Sequence, residues 1–363
     1  MKHLLDLPAT MRVAVMYDVD DIRIEDRPLP ILQSGDALVR TAASGVCSGD
    51  LMPWYVRKKA PFVFGHEPAG TVVALGPDPS GTFAVGDRVF AHHHAPCLAC
   101  ATCHAGHYVH CTTWRKTALE PGGMAEYFRV PQANFLDTLR LPDTVSFLDG
   151  SLVEPLGCVV KSLRRALAIA PSVPLVATAS RPAADLRGQT VYVIGAGVMG
   201  LMHVAVAASL GATVFASDFN ATRRAVAVEL GASLAFDPAT AQADLAAATH
   251  GGLASTTICG PGVATALEAA VAATGTDGTV LMFTPIEPEQ RFVFDQSAAY
   301  FRDIRLVSSY SCGPTDTRDA LALIAAGIVS ASKLRVTEFA FPAVRRAYNE
   351  MQEARVVKAI VTF

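Results

Sequence analysis

A chain of 363 residues exceeds the roughly 250–300 at which a single hydrophobic core stops growing, so two domains are expected. It is 51% hydrophobic, which allows sizeable cores, and its net charge of −3 offers no basic excess for nucleic acid or an anionic membrane. Residues 1–10 mix Lys2, His3 and Asp6 with Leu and Pro and lack the apolar run of a secretory leader, which predicts a cytoplasmic protein.

Short alternating runs at Arg12–Met16, Ile22–Asp26 and Ala37–Thr41, punctuated by Pro28, Pro30 and Gly35, predict a β-rich N-terminal region. Ala69–Ala74 reads as a further strand, and Gly86-Asp87-Arg88 as a tight turn before Val89–Ala91. His92, His93 and His94 end that strand and are expected to be solvent-exposed and not ligands. Cys97, Cys100, Cys103 and Cys111 follow as C-x2-C-x2-C-x7-C. Four thiolates at this spacing can wrap one Zn²⁺ tetrahedrally and leave no open position, which makes such a site structural. A nucleic-acid-binding zinc ribbon would need basic flanks, and these are absent. With no secretory leader, disulfides are not expected.

A helix over Lys161–Ala168 is expected to link two units, and Ala170–Asp185, rich in Pro, Ala and Ser, to be a surface connection. From Thr190 apolar strands alternate with Ala-rich helices: Val191–Ile194, Gly200–Leu210, Thr213–Ser217 and Thr222–Leu230, with strands again at Thr256–Cys259 and Thr279–Thr284. This is the rhythm of a doubly wound parallel sheet. Val191–Ser217 carries no Asp, Glu, Lys or Arg and is long enough to span a bilayer, but its glycines at fixed offsets favour a buried strand–turn–helix. Arg318–Gly327 and Ala343–Ala354 read as helices and Ala359–Phe363 as a strand. The strand near Thr279–Thr284 is a candidate for pairing across a subunit interface.

Gly195-Ala196-Gly197-Val198-Met199-Gly200 is G-x-G-x-x-G between a strand and a helix, the context in which this motif binds a dinucleotide. Gly195 permits the turn, Gly197 admits the pyrophosphate, and Gly200 lets helix and strand pack, with Val198 and Met199 opening the helix. Asp218, about twenty residues on, can accept hydrogen bonds from both ribose hydroxyls of NAD and would repel the 2′-phosphate of NADP. Arg223 and Arg224 leave NADP as a second possibility.

The other candidate ligands are scattered: Cys47 in Gly45-Val46-Cys47-Ser48-Gly49-Asp50, His66 and Glu67 before Pro68, and Glu154 before Pro155. Thiolate, imidazole and carboxylate suit Zn²⁺, and three protein ligands leave room for a substrate. Taken singly, Cys47 reads equally as a core thiol, His66 as a satisfied imidazole and Glu154 as a helix-start carboxylate.

In this order the Cys47 segment, Gly65-His66-Glu67, the four-cysteine loop, Gly122-Gly123-Met124-Ala125-Glu126-Tyr127, Glu154-Pro155 and the glycine loop resemble the medium-chain, zinc-containing alcohol dehydrogenase family over the full length. The resemblance implies an α/β protein of two domains with the active site in the cleft. Residues 1–157 and 309–363 would form a GroES-like catalytic domain with the structural zinc loop 97–111, and residues 158–308 a Rossmann domain. It implies two zinc ions per chain, the catalytic one drawing on Cys47, His66, Glu67 and Glu154. Glu154-Pro155-Leu156 is similar to the polyol branch, with its sorbitol, threonine and butanediol dehydrogenases. Asp50 would orient the His66 imidazole. Lys358 would reach the cofactor pyrophosphate. The family's Ser or Thr two residues after the cysteine is here Gly49, which leaves Ser48, Glu67 or water to move the proton.

The function implied is zinc-dependent, NAD-linked interconversion of a secondary alcohol or polyol with its carbonyl. The alternatives are an NADPH-linked carbonyl reductase or a non-catalytic relative. Trp54, Tyr55 and Arg57 are expected at the substrate, and the Arg57–Lys59 cluster suggests either an anionic substrate or a solvated loop. A homodimer or homotetramer is expected, with no nucleic-acid or membrane partner.

Overall fold

A computed structural model describes residues 7–363; Lys2, His3 and Asp6, on which the expectation about a leader draws, lie outside them. Among the described residues the chain divides into two compact units. One comprises residues up to Pro155 with Cys312–Ala325 and Ser330–Phe363, the other Leu156–Ser311 with Ala326–Val329.

The first unit is built on β-structure. Its larger sheet runs Thr337–Ala340, Ala359–Thr362, Ala37–Gly45, Pro68–Leu75, Arg88–Ala91 and Thr138–Arg140, with Tyr127–Val130 paired to the first half of Ala37–Gly45. Ala359–Thr362 pairs antiparallel with the other half of that strand, at Ala43–Gly45. A smaller sheet joins Asp21–Pro28, Thr10–Asp18 and Phe62–Val63. Thr10–Asp18 buries both faces: Met11, Val13 and Val15 pack with Ala125, and Ala14 and Met16 with Phe64, Tyr348 and Val361. Period-two alternation of apolar residues therefore feeds two cores at once. Helix Val344–Gln352 closes the second core with Val344, Ala347, Tyr348 and Met351, the i, i+3, i+4, i+7 stripe of an amphipathic helix.

The second unit is a six-stranded, wholly parallel sheet. Its order is Leu234–Phe236, Thr213–Ser217, Thr190–Ile194, Ala254–Cys259, Thr274–Met282 and Arg305–Ser308. The expected doubly wound topology is therefore present, reversing beside Thr190–Ile194. Val191–Ser217 forms strand, helix Val198–Ser209 and strand, and no helix among the described residues is long and apolar enough to cross a membrane. The interface expectation for Thr279–Thr284 is corrected: this strand is hydrogen-bonded on both sides, to Ala254–Cys259 and Arg305–Ser308, and the latter forms the edge. The linking helix begins earlier than expected, at Val153, which puts Glu154 in its first turn.

Candidate active site

Cys47 follows the central strand Ala37–Gly45 and caps the turn Ser48–Leu51, its sulfur accepting the Gly49 N–H at 3.3 Å. The chain is held there by the C-terminal strand, whose Ala359 carbonyl accepts the Val46 N–H at 3.0 Å. His66 and Glu67 lie just before strand Pro68–Leu75, which pairs with the same central strand. The Gly122–Tyr127 motif explains itself here. Gly123 and Met124 donate to the carbonyls of Gly65 and Phe64 at 2.7 and 2.9 Å, and a side chain at Gly65, where φ is +90°, would collide with the Met124 backbone. Glycine is needed because two backbones touch.

The result is a trio. Ligand atoms of Cys47, His66 and Glu67 all lie within 4.8 Å of one another. Glu67 is fully buried; its Oε2 takes a hydrogen bond from Lys358 Nζ at 2.5 Å, while Oε1 has no hydrogen-bond partner among the described residues. Asp50 Oδ2 stands 3.6 Å from His66 Nδ1, beyond hydrogen-bond range, and is likewise buried without a hydrogen-bond partner among the described residues. Burial raises the pKa of Cys47, of Asp50 and of Glu154, and the neighbouring Glu67 raises each further. Burial lowers that of His66, but Cys47 and Asp50 outweigh it and carry it well above its ordinary value. Four acidic groups, Cys47, Asp50, Glu67 and Glu154, against one buried lysine, with two orphaned carboxylate oxygens, favour a cation. The thiolate, imidazole and carboxylate donors fit Zn²⁺.

Several expectations are corrected. Lys358 is only 1% exposed and its ammonium is spent on Glu67 and, at 2.8 Å, on the Val46 carbonyl, so it is a buried counter-ion and not a surface group reaching for pyrophosphate. The pair fits because position 45 is glycine; any side chain there would overlap the Glu67 carboxylate. Ser48 is exposed, whereas a side chain at Gly49 would start 3.5 Å from the Cys47 sulfur. Glu154 is buried, and its carboxylate clusters with His92 and His93 beside the trio, near enough to His66 and Glu67 for their charges to act on it.

The histidine run is not exposed. His92 is fully buried, with Nδ1 2.6 Å from Asp137, which also accepts from the Thr317 hydroxyl at 2.5 Å. Cys312 Sγ lies 3.8 Å from His92 Nε2, giving a thiol–imidazole–carboxylate line, but all three groups are fully buried and serve as a pin. The His93 ring lies 4.9 Å from that of His66. Burial and the neighbouring His92 and His66 push its pKa well below the ordinary value. His94 is held on the Thr117 carbonyl and packs against Trp114. The signal missed was position: these residues directly extend the buried run Val89–Ala91.

Trp54 and Tyr55 are half-buried on the turn Pro53–Val56, with the Lys58 and Lys59 ammoniums 5.0 and 3.8 Å from their respective ring centres. Arg57 turns to Asp18 at 3.1 Å. All three basic groups thus have local partners, which favours the solvated-loop reading.

In the four-cysteine loop the sulfurs lie 3.5, 3.6, 3.9 and 4.0 Å apart across four pairs. A tetrahedron with Zn–S bonds of about 2.3 Å has sulfurs about 3.8 Å apart. A disulfide, at about 2.05 Å, does not match. Burial opposes ionisation of Cys111, but the Cys97 and Trp114 N–H groups outweigh it and bring the thiol down to about 6.

In the second unit Gly195 has φ +90°, the space around Gly197 is open, and a side chain at Gly200 would overlap the Gly195 carbonyl. Asp218 accepts the N–H groups of Ala196 and Asn220, both at 2.8 Å. Arg224 bonds the carbonyls of Asp218 and Phe219 and the Asp237 carboxylate, and the Arg223 N–H is capped by Asn220.

Residues 33–143 match the alcohol dehydrogenase GroES-like domain and residues 198–326 the zinc-binding dehydrogenase domain. The chain is 28% identical to D-xylulose reductase A of Aspergillus niger, over 96% of this chain and 95% of that one. A Sinorhizobium meliloti 1021 protein assigned as a zinc-binding dehydrogenase and solved with NADP has a TM-score of 0.82 at 24% identity, covering 98% of this chain and 100% of that one. The 2R,3R-butanediol dehydrogenase of Bacillus subtilis has a TM-score of 0.80 at 24% identity, covering 97% and 99%.

Proposed function

The chain belongs to the zinc-dependent medium-chain alcohol and polyol dehydrogenase family, and from that premise we propose that it is a zinc-dependent, NAD-linked oxidoreductase interconverting a polyol or secondary alcohol with its ketone. The observation that carries this reading is the Cys47–His66–Glu67 trio with the orphaned Glu67 Oε1. Cys47, His66 and a carboxylate from Glu67 or Glu154 would hold the catalytic ion, and Cys97, Cys100, Cys103 and Cys111 the structural one. When bound, zinc supplies a Lewis acid that makes a substrate hydroxyl acidic near neutral pH, and the nicotinamide supplies the hydride acceptor.

The chain's own residues set the stage for that chemistry. Gly65 and the glycine pair at 122–123 fix the His66 backbone, Asp50 lends negative charge beside the imidazole, and Lys358 neutralises one oxygen of Glu67. Trp54 and Tyr55 supply apolar surface for substrate carbon. The polyol assignment follows the xylulose reductase relative and the Glu154-Pro155 motif. NAD over NADP rests on Asp218, whose carboxylate is held by the Ala196 and Asn220 N–H groups at the end of its strand while Arg224 is tied to carbonyls and Asp237. We also infer assembly of identical subunits, since the parallel sheet ends at the unpaired edge Arg305–Ser308 beside exposed Phe301 and Tyr310.

The test is absorbance of the reduced nicotinamide when the metal-loaded protein meets NAD⁺ or NADP⁺ with polyols and secondary alcohols. Turnover with NAD⁺ and a polyol is expected. Preference for NADP⁺ would overturn the Asp218 argument, and silence with every alcohol, at two zinc ions per chain, would overturn the dehydrogenase reading.

A further inference from the structure

Of the three consecutive histidines, two are committed: His92 Nδ1 to Asp137 at 2.6 Å and His94 Nδ1 to the Thr117 carbonyl at 2.5 Å. His93 Nδ1 is buried without a hydrogen-bond partner among the described residues. A buried polar atom left unsatisfied is costly, and native folds keep few of them without a purpose. This nitrogen belongs to a ring 4.9 Å from the His66 ring, on the border of the candidate metal centre.

A metal is not the natural occupant. His92, His93 and Glu154 do cluster, but His92 has both nitrogens engaged, Nδ1 on Asp137 and Nε2 facing Cys312 Sγ at 3.8 Å. That leaves His93 and Glu154, too few ligands for a closed site of their own. A neutral hydroxyl suits the imidazole better, because a hydroxyl donates or accepts according to the tautomer it meets.

We propose that His93 Nδ1 is the hydrogen-bond partner of the substrate hydroxyl next to the reacting carbon. A vicinal diol is then held at two points, the reacting oxygen at the Cys47–His66–Glu67 centre and its neighbour at His93. The proposal rests on the polyol reading above and adds the residue that selects the second hydroxyl. It also accounts for a polar ring at a place where an apolar one would serve a simple alcohol.

The test compares 2,3-butanediol with 2-butanol, which has the same carbon skeleton but lacks the second hydroxyl, in the metal-loaded full chain, in His93→Phe and in His93→Gln. Wild type is expected to prefer the diol in kcat/KM by roughly 10- to 100-fold, the worth of one hydrogen bond into a buried unpartnered site. In His93→Phe the ratio should fall toward one, chiefly through the KM of the diol. His93→Gln, which keeps a hydrogen-bonding end, should recover part of it, and both variants should keep the wild-type metal content. Equal preference in wild type and His93→Phe would overturn the proposal, as would loss of one metal ion per chain in either variant, which would make His93 a ligand. If wild type turns over neither compound but oxidises other alcohols, the vicinal-diol role of His93 falls while the dehydrogenase reading stands, and silence with every alcohol overturns both; if it turns over both alike, only the role of His93 falls.

Discussion

Glu67 carries two oxygens in different situations, one on Lys358 and one buried without a hydrogen-bond partner among the described residues, and this asymmetry separates the two within one side chain. Removing the lysine strands a fully buried carboxylate. Lys358→Met is therefore expected to cost about 3–5 kcal/mol, read as a lower midpoint in urea unfolding, with most of it recovered in Glu67→Gln/Lys358→Met. A double variant no more stable than Lys358→Met would show that the ion pair is not the cause. Gly49 poses the opposite case. Its would-be side chain meets only Cys47 Sγ at 3.5 Å and Met52 Cε at 3.8 Å, and its φ is not positive. Gly49→Ser should melt within about 2 °C of wild type, as substitutions away from strain and clashes do. Its kcat should change less than about twofold, because the native proton route does not use this position; a tenfold rise would show that the missing hydroxyl limits the rate. At this scale the sequence was legible where chemistry sits in short motifs, as for Cys47, His66 and the four cysteines. It was silent on Glu67–Lys358, a pair 291 positions apart, and on His93, whose environment is made by folding.

Among the elements, helices Val153–Ala166 and Val198–Ser209 are joined by a buried imidazole. His203 Nδ1 lies 2.7 Å from the Met199 carbonyl and must donate to it, so Nε2 accepts from the Ser162 hydroxyl at 2.8 Å. Burial holds its pKa down at about 4 against 6.5 for the free side chain. The unfolded chain thus binds the proton first, and stability is full above pH 6.5 and lost as the pH falls toward 4. The loss should reach about 3 kcal/mol between pH 7 and 4 in urea unfolding, and His203→Gln should flatten the slope. An unchanged slope would place the acid sensitivity elsewhere. In the four-cysteine loop, Cys100→Ser is expected to lower the thermal midpoint far more than it alters KM, because a closed tetrahedral site adds folding energy and no chemistry. Equal melting would argue against a structural ion. Elements with contrast were readable, such as Val344–Gln352 with its stripe. Helices Ala241–Ala248 and Ala264–Ala273 were passed over because runs of alanine show no polar face to set against an apolar one. The strand expected at a subunit edge lies inside the sheet because Arg305–Ser308, too short and mixed to be recognised, covers it.

For the whole molecule, the unpaired edge Arg305–Ser308 beside Phe301, 79% exposed, sets an expectation for assembly. Sedimentation should give the mass of a dimer or a larger even assembly, and Phe301→Glu should shift it toward single chains; a wild-type monomer would refute this. The two-unit organisation was legible in the change of texture near Thr190, whereas the return of the chain into the first unit was implied only by the resemblance, and its physical reason is the pairing of Ala359–Thr362 with Ala37–Gly45. That pairing has a consequence for biosynthesis. Ribosomes deliver Ala37–Gly45 early and Ala359–Thr362 late, a wait of roughly 15–60 s at about 5–20 residues per second. Until then Val46 lacks the carbonyl that positions Cys47, and Glu67 lacks its lysine. The second unit, contiguous but for Ala326–Val329, can fold while translation continues; Cys47 is locked into place only in the final moments of synthesis, so a prematurely stopped chain carries its thiols but not the frame that holds them.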